Sequence, residues 1–275
     1  MSYIDLFVIS VLGLTVGSFL SALTYRLPRG ESVLRGRSVC PKCKAKIAWH
    51  DNIPLLSYLI LSGRCRKCGK KISPRYPLIE SSTAFLFLLT YIVRQNCIVL
   101  QGLAFERLAV CFWNELLGFW ALPFLLLVGS ILIAILVIDI EHQIIPDELV
   151  FILLGIVFFA HVLGNNNILI YRYLFSGFAA SLSLLFLHFV TLGRGMGLGD
   201  VKLVIPMGMV LGWPGVLVWF YISFVGGGLV GLALILAGKA KFGREIAFGP
   251  FLIIAFFVTL FWGDLVANIL IPFFG

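Results

Sequence analysis

The chain has 275 residues, 60% of them hydrophobic and 12% charged, with a mean hydropathy of +1.05 and a formal net charge of +8. Soluble globular domains carry about 45–50% apolar and about 25% charged residues, so composition excludes that class and predicts an all-α polytopic membrane protein. Topology and anionic lipid account for the basic pI near 9.3, and no basic patch interleaved with aromatics points to nucleic acid.

In chain order, apolar stretches run over 4–24, 76–93, 119–138, 149–163, 173–192, 203–212, 215–237 and 247–271. A helix rising about 1.5 Å per residue must cross about 30 Å of hydrocarbon, so stretches near 20 residues span unaided. The runs at 149–163 and 203–212 are short, and the second is expected to continue through Trp213 and Pro214 or to abut the next helix. The expectation is about eight transmembrane helices. Residues 1–24 lack a basic leading region and a small-residue cleavage site, and are read as a retained first helix.

Residues 25–75 differ in kind and form one extramembrane module before the bundle of 76–275. Of the 21 Lys and Arg residues, 13 lie from Arg26 to Arg75, against only Glu31 and Asp51. The positive-inside rule places this segment in the cytoplasm. Counting crossings from there puts both termini outside and the charged loops 139–147, 194–202 and 239–244 inside, while the uncharged loop 164–167 lies opposite.

Within the module stand Cys40-Pro41-Lys42-Cys43 and Cys65-Arg66-Lys67-Cys68. In a reducing compartment a double C-x2-C reads as a tetrahedral zinc site, because four thiolates close the shell of a structural metal; four reduced thiols without metal are the alternative. A closed shell leaves no open position, so the metal is expected to hold the fold and not to do chemistry. Cys97 and Cys111 fall on the outer side, either as a disulfide or, the commoner outcome in apolar surroundings, as buried free thiols.

Two aspartates end apolar runs: Asp139 in LVIDIEHQIIPD (136–147) and Asp200 in GMGLGD (195–200). An ionisable group at a membrane edge is costly unless it is used, and this topology brings both to the cytoplasmic face. Two neighbouring carboxylates share one proton, which suits an aspartic protease in which one acid activates water and the other protonates the scissile carbonyl. Gly197 and Gly199 would let a substrate backbone approach Asp200 in extended form. Singly, the plainer readings are a helix-end residue for Asp139, a helix N-cap for Asp200 and a capping role for Asp147.

Further segments complete the pattern: GSF (17–19), YRLP (25–28), NIPLLSYL (52–59), RYPLIE (75–80), IPD (145–147), GMGLGDVKL (195–203) and FGPFL (248–252). Together with the paired C-x2-C module they resemble the bacterial prepilin leader peptidases, bifunctional inner-membrane enzymes of type IV pilus and type II secretion systems. The resemblance implies a GxGD-type intramembrane aspartic protease in which Asp139 and Asp200 are the dyad and Gly197, Gly199 and Asp200 supply the GxGD. It implies removal of a short basic leader from prepilin or pseudopilin substrates at the cytoplasmic face, cutting after a glycine. It further implies methylation of the new N-terminal amine from S-adenosylmethionine, associated with the cysteine-bearing loop. Gly63, Arg64 and Glu80 match the family pattern near that loop and are candidates for holding cofactor or substrate; a helix-start pairing for Glu80 and a headgroup contact for Arg64 are the plainer readings. No G-x-G-x-x-G marks a nucleotide-binding domain, and the stretch from Arg29 to Cys40 is shorter than in many family members.

Three other readings stand beside this one: a peptidase without methylation, a carboxylate-dependent transporter, and a zinc-anchored membrane scaffold. The transporter reading lacks a midplane acid and an internal repeat.

Overall fold

The computed structural model describes residues 2–33, 38–99, 109–164, 167–193, 196–238 and 247–270. The loop 239–244, residues 165–166, and Arg194 with Gly195, which entered the topology and motif readings above, lie outside them. The described residues are helical apart from loops and two isolated antiparallel bridges. They divide into two compact units, residues 1–92 with 129–138, and residues 93–128 with 139–275.

The first unit is built on an antiparallel pair, α1 (Tyr3–Arg26) and α3 (Arg75–Val99). Ser2 starts α1 as N-cap, its hydroxyl accepting the Ile4 N–H at 3.3 Å. Gly13 and Gly17 form a G-x-x-x-G step facing α3. A methyl on Gly13 would lie 2.6 Å from the Ala84 Cα, and one on Gly17 would lie 2.7 Å from the Glu80 Cα. Absent side chains thus let two helix backbones touch, the packing device of membrane helices, where no hydrophobic force separates protein from lipid. Polar contacts fix the register at both ends. Tyr91 donates to Asp5 at 3.0 Å, and Arg75 donates to the Ser21 carbonyl at 3.1 Å and to the Thr24 hydroxyl at 2.8 Å. Between α1 and α3 lies the cysteine module, with the short helix α2 (Leu56–Ile60).

The second unit holds α4 (Ala109–Leu117), both ends of α5 (Ala121–His142), α6 (Asp147–Leu163), α7 (Asn167–Val190), α8 (Leu198–Leu211), α9 (Gly215–Leu236) and α10 (Gly249–Leu270). Its centre is α8, packed by α6, α7, α9 and α10. Ten of its 14 residues are buried, including Asp200, Pro206 and Met207, as expected of a helix apolar all round. α7 comes close enough that a methyl on Gly208 would lie 2.8 Å from the Gly177 Cα. The last carbonyls of α8 lack intrahelical partners, and buried side chains supply them: Trp113 donates to Val210 O at 3.0 Å and the His161 ring meets Met209 O at 2.9 Å.

Among the described residues, five helical segments are long and apolar enough to cross a membrane: Tyr3–Arg29, Arg75–Cys97, Ala109–His142, Tyr171–Val190 and Gly215–Leu236. The all-helical expectation holds, and the count of eight is not reached by length and composition. α6 has 17 residues and α8 has 14, and a 14-residue helix covers only about 21 Å. Cys97 and Cys111 are joined in a disulfide with a Cα–Cα distance of 5.4 Å. This departs from the commoner free-thiol outcome because the end of α3 and the start of α4 bring the two residues together.

Candidate active site and metal centre

Asp139 stands in the last turn of α5, which ends where Gln143 adopts a positive φ of 56° and donates its N–H to the Asp139 carbonyl at 2.9 Å. The chain then extends through Ile144 and Ile145 to Pro146, the N-cap of α6. Asp200 occupies the first turn of α8, where its Oδ2 accepts the N–H of Gly197, the N-cap, at 3.2 Å. The helix N-cap is thus Gly197 and not Asp200, which sits at the third helical position and closes the helix start with one carboxylate oxygen and not the other.

That other oxygen defines the site. Asp139 is 4% exposed and Asp200 7%, yet Asp139 Oδ2 and Asp200 Oδ1 are buried without a hydrogen-bond partner among the described residues. Both point to the same place. A methyl built on Gly249, the first residue of α10, would collide with Asp139 Oδ2 and lie 3.3 Å from Asp200 Oδ1. Unpartnered buried carboxylate oxygens cost free energy, and these two converge from residues 61 positions apart in sequence, counted from Asp139 to Asp200. Such a pair can hold a water between an ionised and a protonated carboxyl group.

The neighbouring candidates take definite places. Gly197 shapes the turn into α8, a methyl there lying 3.3 Å from Asp200 Oδ2. Gly199 faces the Ile145 side chain, 3.1 Å from a methyl at that position, so its bare Cα admits the segment after α5 instead of leaving an open path. Asp147 lies in the first turn of α6 and forms an ion pair with Lys202 of α8 at 2.9 Å, a pairing with no sequence signature because 55 residues separate them. His161 and His188 bond to the carbonyls of Met209 and Met196 and so serve packing.

In the first unit the four cysteines converge: the Sγ atoms of Cys40, Cys43, Cys65 and Cys68 all lie within 4.8 Å of one another. Each pair sits in a knuckle of the same design. Cys40 N–H bonds Ala45 O at 2.9 Å and Lys44 N–H bonds Cys40 O at 2.8 Å; Cys65 N–H bonds Lys70 O at 2.9 Å and Gly69 N–H bonds Cys65 O at 2.8 Å. The fourth residue after each leading cysteine needs a positive φ, 57° at Lys44 and 65° at Gly69. Amide hydrogen bonds from Cys68 and then Lys67 pull the Cys65 thiol down to about 7, whereas, against the Lys70 amide, burial and hydrogen bonds to the neighbouring cysteines push the Cys68 thiol up to about 11, so Cys65 is the readier thiolate of the pair. A tetrahedral metal with M–S bonds of about 2.3 Å separates its sulfurs by about 3.8 Å, so four thiols already this close fit a metal ion. Arg66 clasps Asp51 with three hydrogen bonds of 2.7–3.1 Å, and the hydrogen bonds and charge of that guanidinium hold the Asp51 carboxyl below its ordinary range.

Glu80 is buried, and its Oε2 accepts the N–H of Leu55 at 2.8 Å, fastening the 52–59 segment of the module to the first turns of α3. Gly63, at φ 65°, packs on the Tyr58 ring, and its carbonyl accepts the Ile72 N–H at 2.7 Å; Arg64 follows it, exposed, at the base of the second knuckle. The structure thus gives Glu80 and Gly63 structural partners. Gly249, by contrast, was legible only as one letter of FGPFL; its nearness to both acids has no local signal.

Comparison with known proteins matches residues 11–94 to the Bacterial Peptidase A24 N-terminal domain and residues 125–232 to the Type IV leader peptidase family. Relatives named prepilin leader peptidase/N-methyltransferase include those of Pseudomonas aeruginosa, 31% identical over 96% of this chain and 93% of the relative, and Legionella pneumophila, 32% identical over 95% and 92%. That of Myxococcus xanthus is 36% identical over 84% of this chain and 63% of the relative. No solved structure matches. With two near-full-length relatives above 30% identity and both family domains in order along it, the chain belongs to the type IV leader peptidase family.

Proposed function

We propose that this protein is a membrane-embedded prepilin leader peptidase and N-methyltransferase in which Asp139 and Asp200 form the peptidase dyad. The observation that carries this reading is the pair of buried, unpartnered carboxylate oxygens directed at the start of α10. In the proposed step, the ionised carboxylate takes a proton from water as that water adds to the scissile carbonyl, while the protonated carboxyl gives its proton to the carbonyl oxygen. Collapse of the tetrahedral diol breaks the C–N bond, and the leaving amine takes up the proton. The dyad titrates as a coupled pair, so the two roles belong to the pair.

The metal of the cysteine module is zinc in this proposal, held by Cys40, Cys43, Cys65 and Cys68 in a closed, structural shell. Methyl transfer to the new N-terminus uses S-adenosylmethionine, and Gly63, Arg64 and Glu80, which match the family pattern near the module, are its proposed neighbourhood. The substrates are prepilin-like proteins in the bilayer. Eight helices, α1, α3 and α5 to α10, are the proposed spans of an inner-membrane protein, with the module and dyad cytoplasmic and both termini outside. Two features support this orientation. The basic segment from Arg26 to Arg75 follows the positive-inside rule, and a Cys97–Cys111 disulfide belongs to an oxidising compartment.

The test is the intact mass of a prepilin-like substrate after incubation with purified enzyme and S-adenosylmethionine. Wild type is expected to give a product shortened by its leader and heavier by one methyl, and Asp139→Asn and Asp200→Asn to give neither change. Cleavage that survives either substitution would overturn the dyad.

A further inference from the structure

The dyad reading leaves open what faces the two acids, and the start of α10 is placed to do so. Gly249 is its first residue, followed by Pro250, whose missing N–H costs nothing in a first helical turn. Phe248 closes that turn, its carbonyl accepting the N–H groups of Phe251 at 3.0 Å and Leu252 at 3.2 Å. Phe248 is anchored in turn against α9. Its ring lies 5.1 Å from that of Phe224, and its Cε2 lies 3.1 Å from where a methyl on Gly227 would stand. The Gly249 backbone is therefore tied to α9 through its neighbour Phe248.

At Gly249 there is no room for a side chain. A Cβ on Gly249 would collide with Asp139 Oδ2, approach its Cγ to 3.2 Å and come within 3.3 Å of Asp200 Oδ1. These are the two oxygens without a hydrogen-bond partner. Contrast the other glycines of the motif: Gly199 is filled by Ile145, and Gly197 faces the Asp200 oxygen already engaged as a cap. Of these three glycines, only Gly249 borders the working oxygens of both acids.

We propose that Gly249 is a positioning residue of the peptidase site: its bare Cα keeps open the space between Asp139 Oδ2 and Asp200 Oδ1 that the attacking water and the scissile carbonyl enter. This rests on the dyad reading. α10 is then the third wall of the site, and any side chain at 249 displaces the Asp139 carboxylate or fills the space meant for the reacting atoms.

The experiment compares wild type, Gly249→Ala, Asp139→Asn and Asp200→Asn, as full-length purified enzymes, on a prepilin-like substrate, recording kcat, KM and melting temperature. Gly228→Ala in α9, where a methyl meets nothing within 4 Å, is the control. Gly249→Ala is expected to lower kcat about a hundredfold, the cost of misplacing reacting groups by about 1 Å, with KM within about threefold and a melting temperature matching the control. Retention of kcat in Gly249→Ala overturns the inference, as does a loss of kcat that comes with a collapse in melting temperature. If either Asn variant keeps cleaving, the dyad reading itself fails; if both are inactive while Gly249→Ala cleaves normally, only the role of Gly249 falls.

Discussion

The cysteine module and the carboxylate pair are built on opposite principles. Each half of the module is a local turn: six consecutive residues make their own backbone hydrogen bonds, place two sulfurs, and need only one long-range meeting to finish the site. The carboxylate pair has no local structure of its own. One acid ends α5, the other begins α8, and the glycine beside them begins α10. A site of the first kind survives as a pattern of spacing; a site of the second kind exists only after three helices have packed.

The largest effect expected from this contrast is a separation of the two sites by mutation. Asp139→Asn should reduce cleavage by about 100-fold to 10,000-fold, the range for a lost general acid or base, while leaving metal content at the wild-type level. Cys65→Ser should do the reverse to the metal, which elemental analysis of the purified protein would find missing, because a structural site with three thiolates no longer closes its shell. Metal loss in Asp139→Asn would show that the two sites are coupled and would break the contrast.

Next in size is the helix pair beneath the module. Gly17→Leu places a large side chain against the Glu80 backbone, so α1 and α3 must part, at about 1–3 kcal/mol for overpacking. Thermal unfolding in detergent should register the loss, and the Leu55–Glu80 bond should weaken with it, visible as faster amide exchange at Leu55.

A smaller gain is expected at Lys44. This residue holds the positive φ that Gly69 provides in the second knuckle, and a side chain in that left-handed region costs about 1–2 kcal/mol, offset in part by the greater chain entropy glycine loses on folding. Lys44→Gly should therefore raise the melting temperature of the metal-loaded protein slightly. A fall would mean that the two knuckles are less alike than their hydrogen bonds indicate.

The smallest effect concerns pH. Arg66 depresses the Asp51 carboxyl in the folded protein, so this pair adds stability above the ordinary aspartate value of about 4, and the contribution fades as pH falls through the lowered folded value. Arg66→Ala should lower the melting temperature modestly at pH 7 and by less at pH 3. An equal drop at both would assign the effect to packing of the arginine stem.

Much of this was legible in the chain before folding. The run 119–138 is α5 over Ala121–His142, and 215–237 is α9 over Gly215–Leu236, because continuous apolar sequence of membrane length has few alternatives to a helix. The short run 203–212 was the weakest guide. α8 begins at Leu198, taking Gly199 and Asp200 into its first turn, since a polar residue at N3 that caps its own helix start interrupts the apolar pattern without interrupting the helix. The disulfide was open for a related reason: Cys97 and Cys111 are paired by where two helices end, which neither residue's surroundings encode.

By itself the sequence determined that this chain is helical and membrane-bound, that four cysteines at C-x2-C spacing gather in one module, and that two acids stand at the ends of apolar helices. These follow from hydropathy, helix rise and turn chemistry, all of which act over a few residues. Only the tertiary structure decided that Gly13 and Gly17 are the seam of α1 with α3, that Asp147 belongs to Lys202, and that Gly249 borders the unpartnered oxygens of Asp139 and Asp200. Those facts depend on which helix faces lie against each other, and that is set by side-chain packing summed over the whole unit.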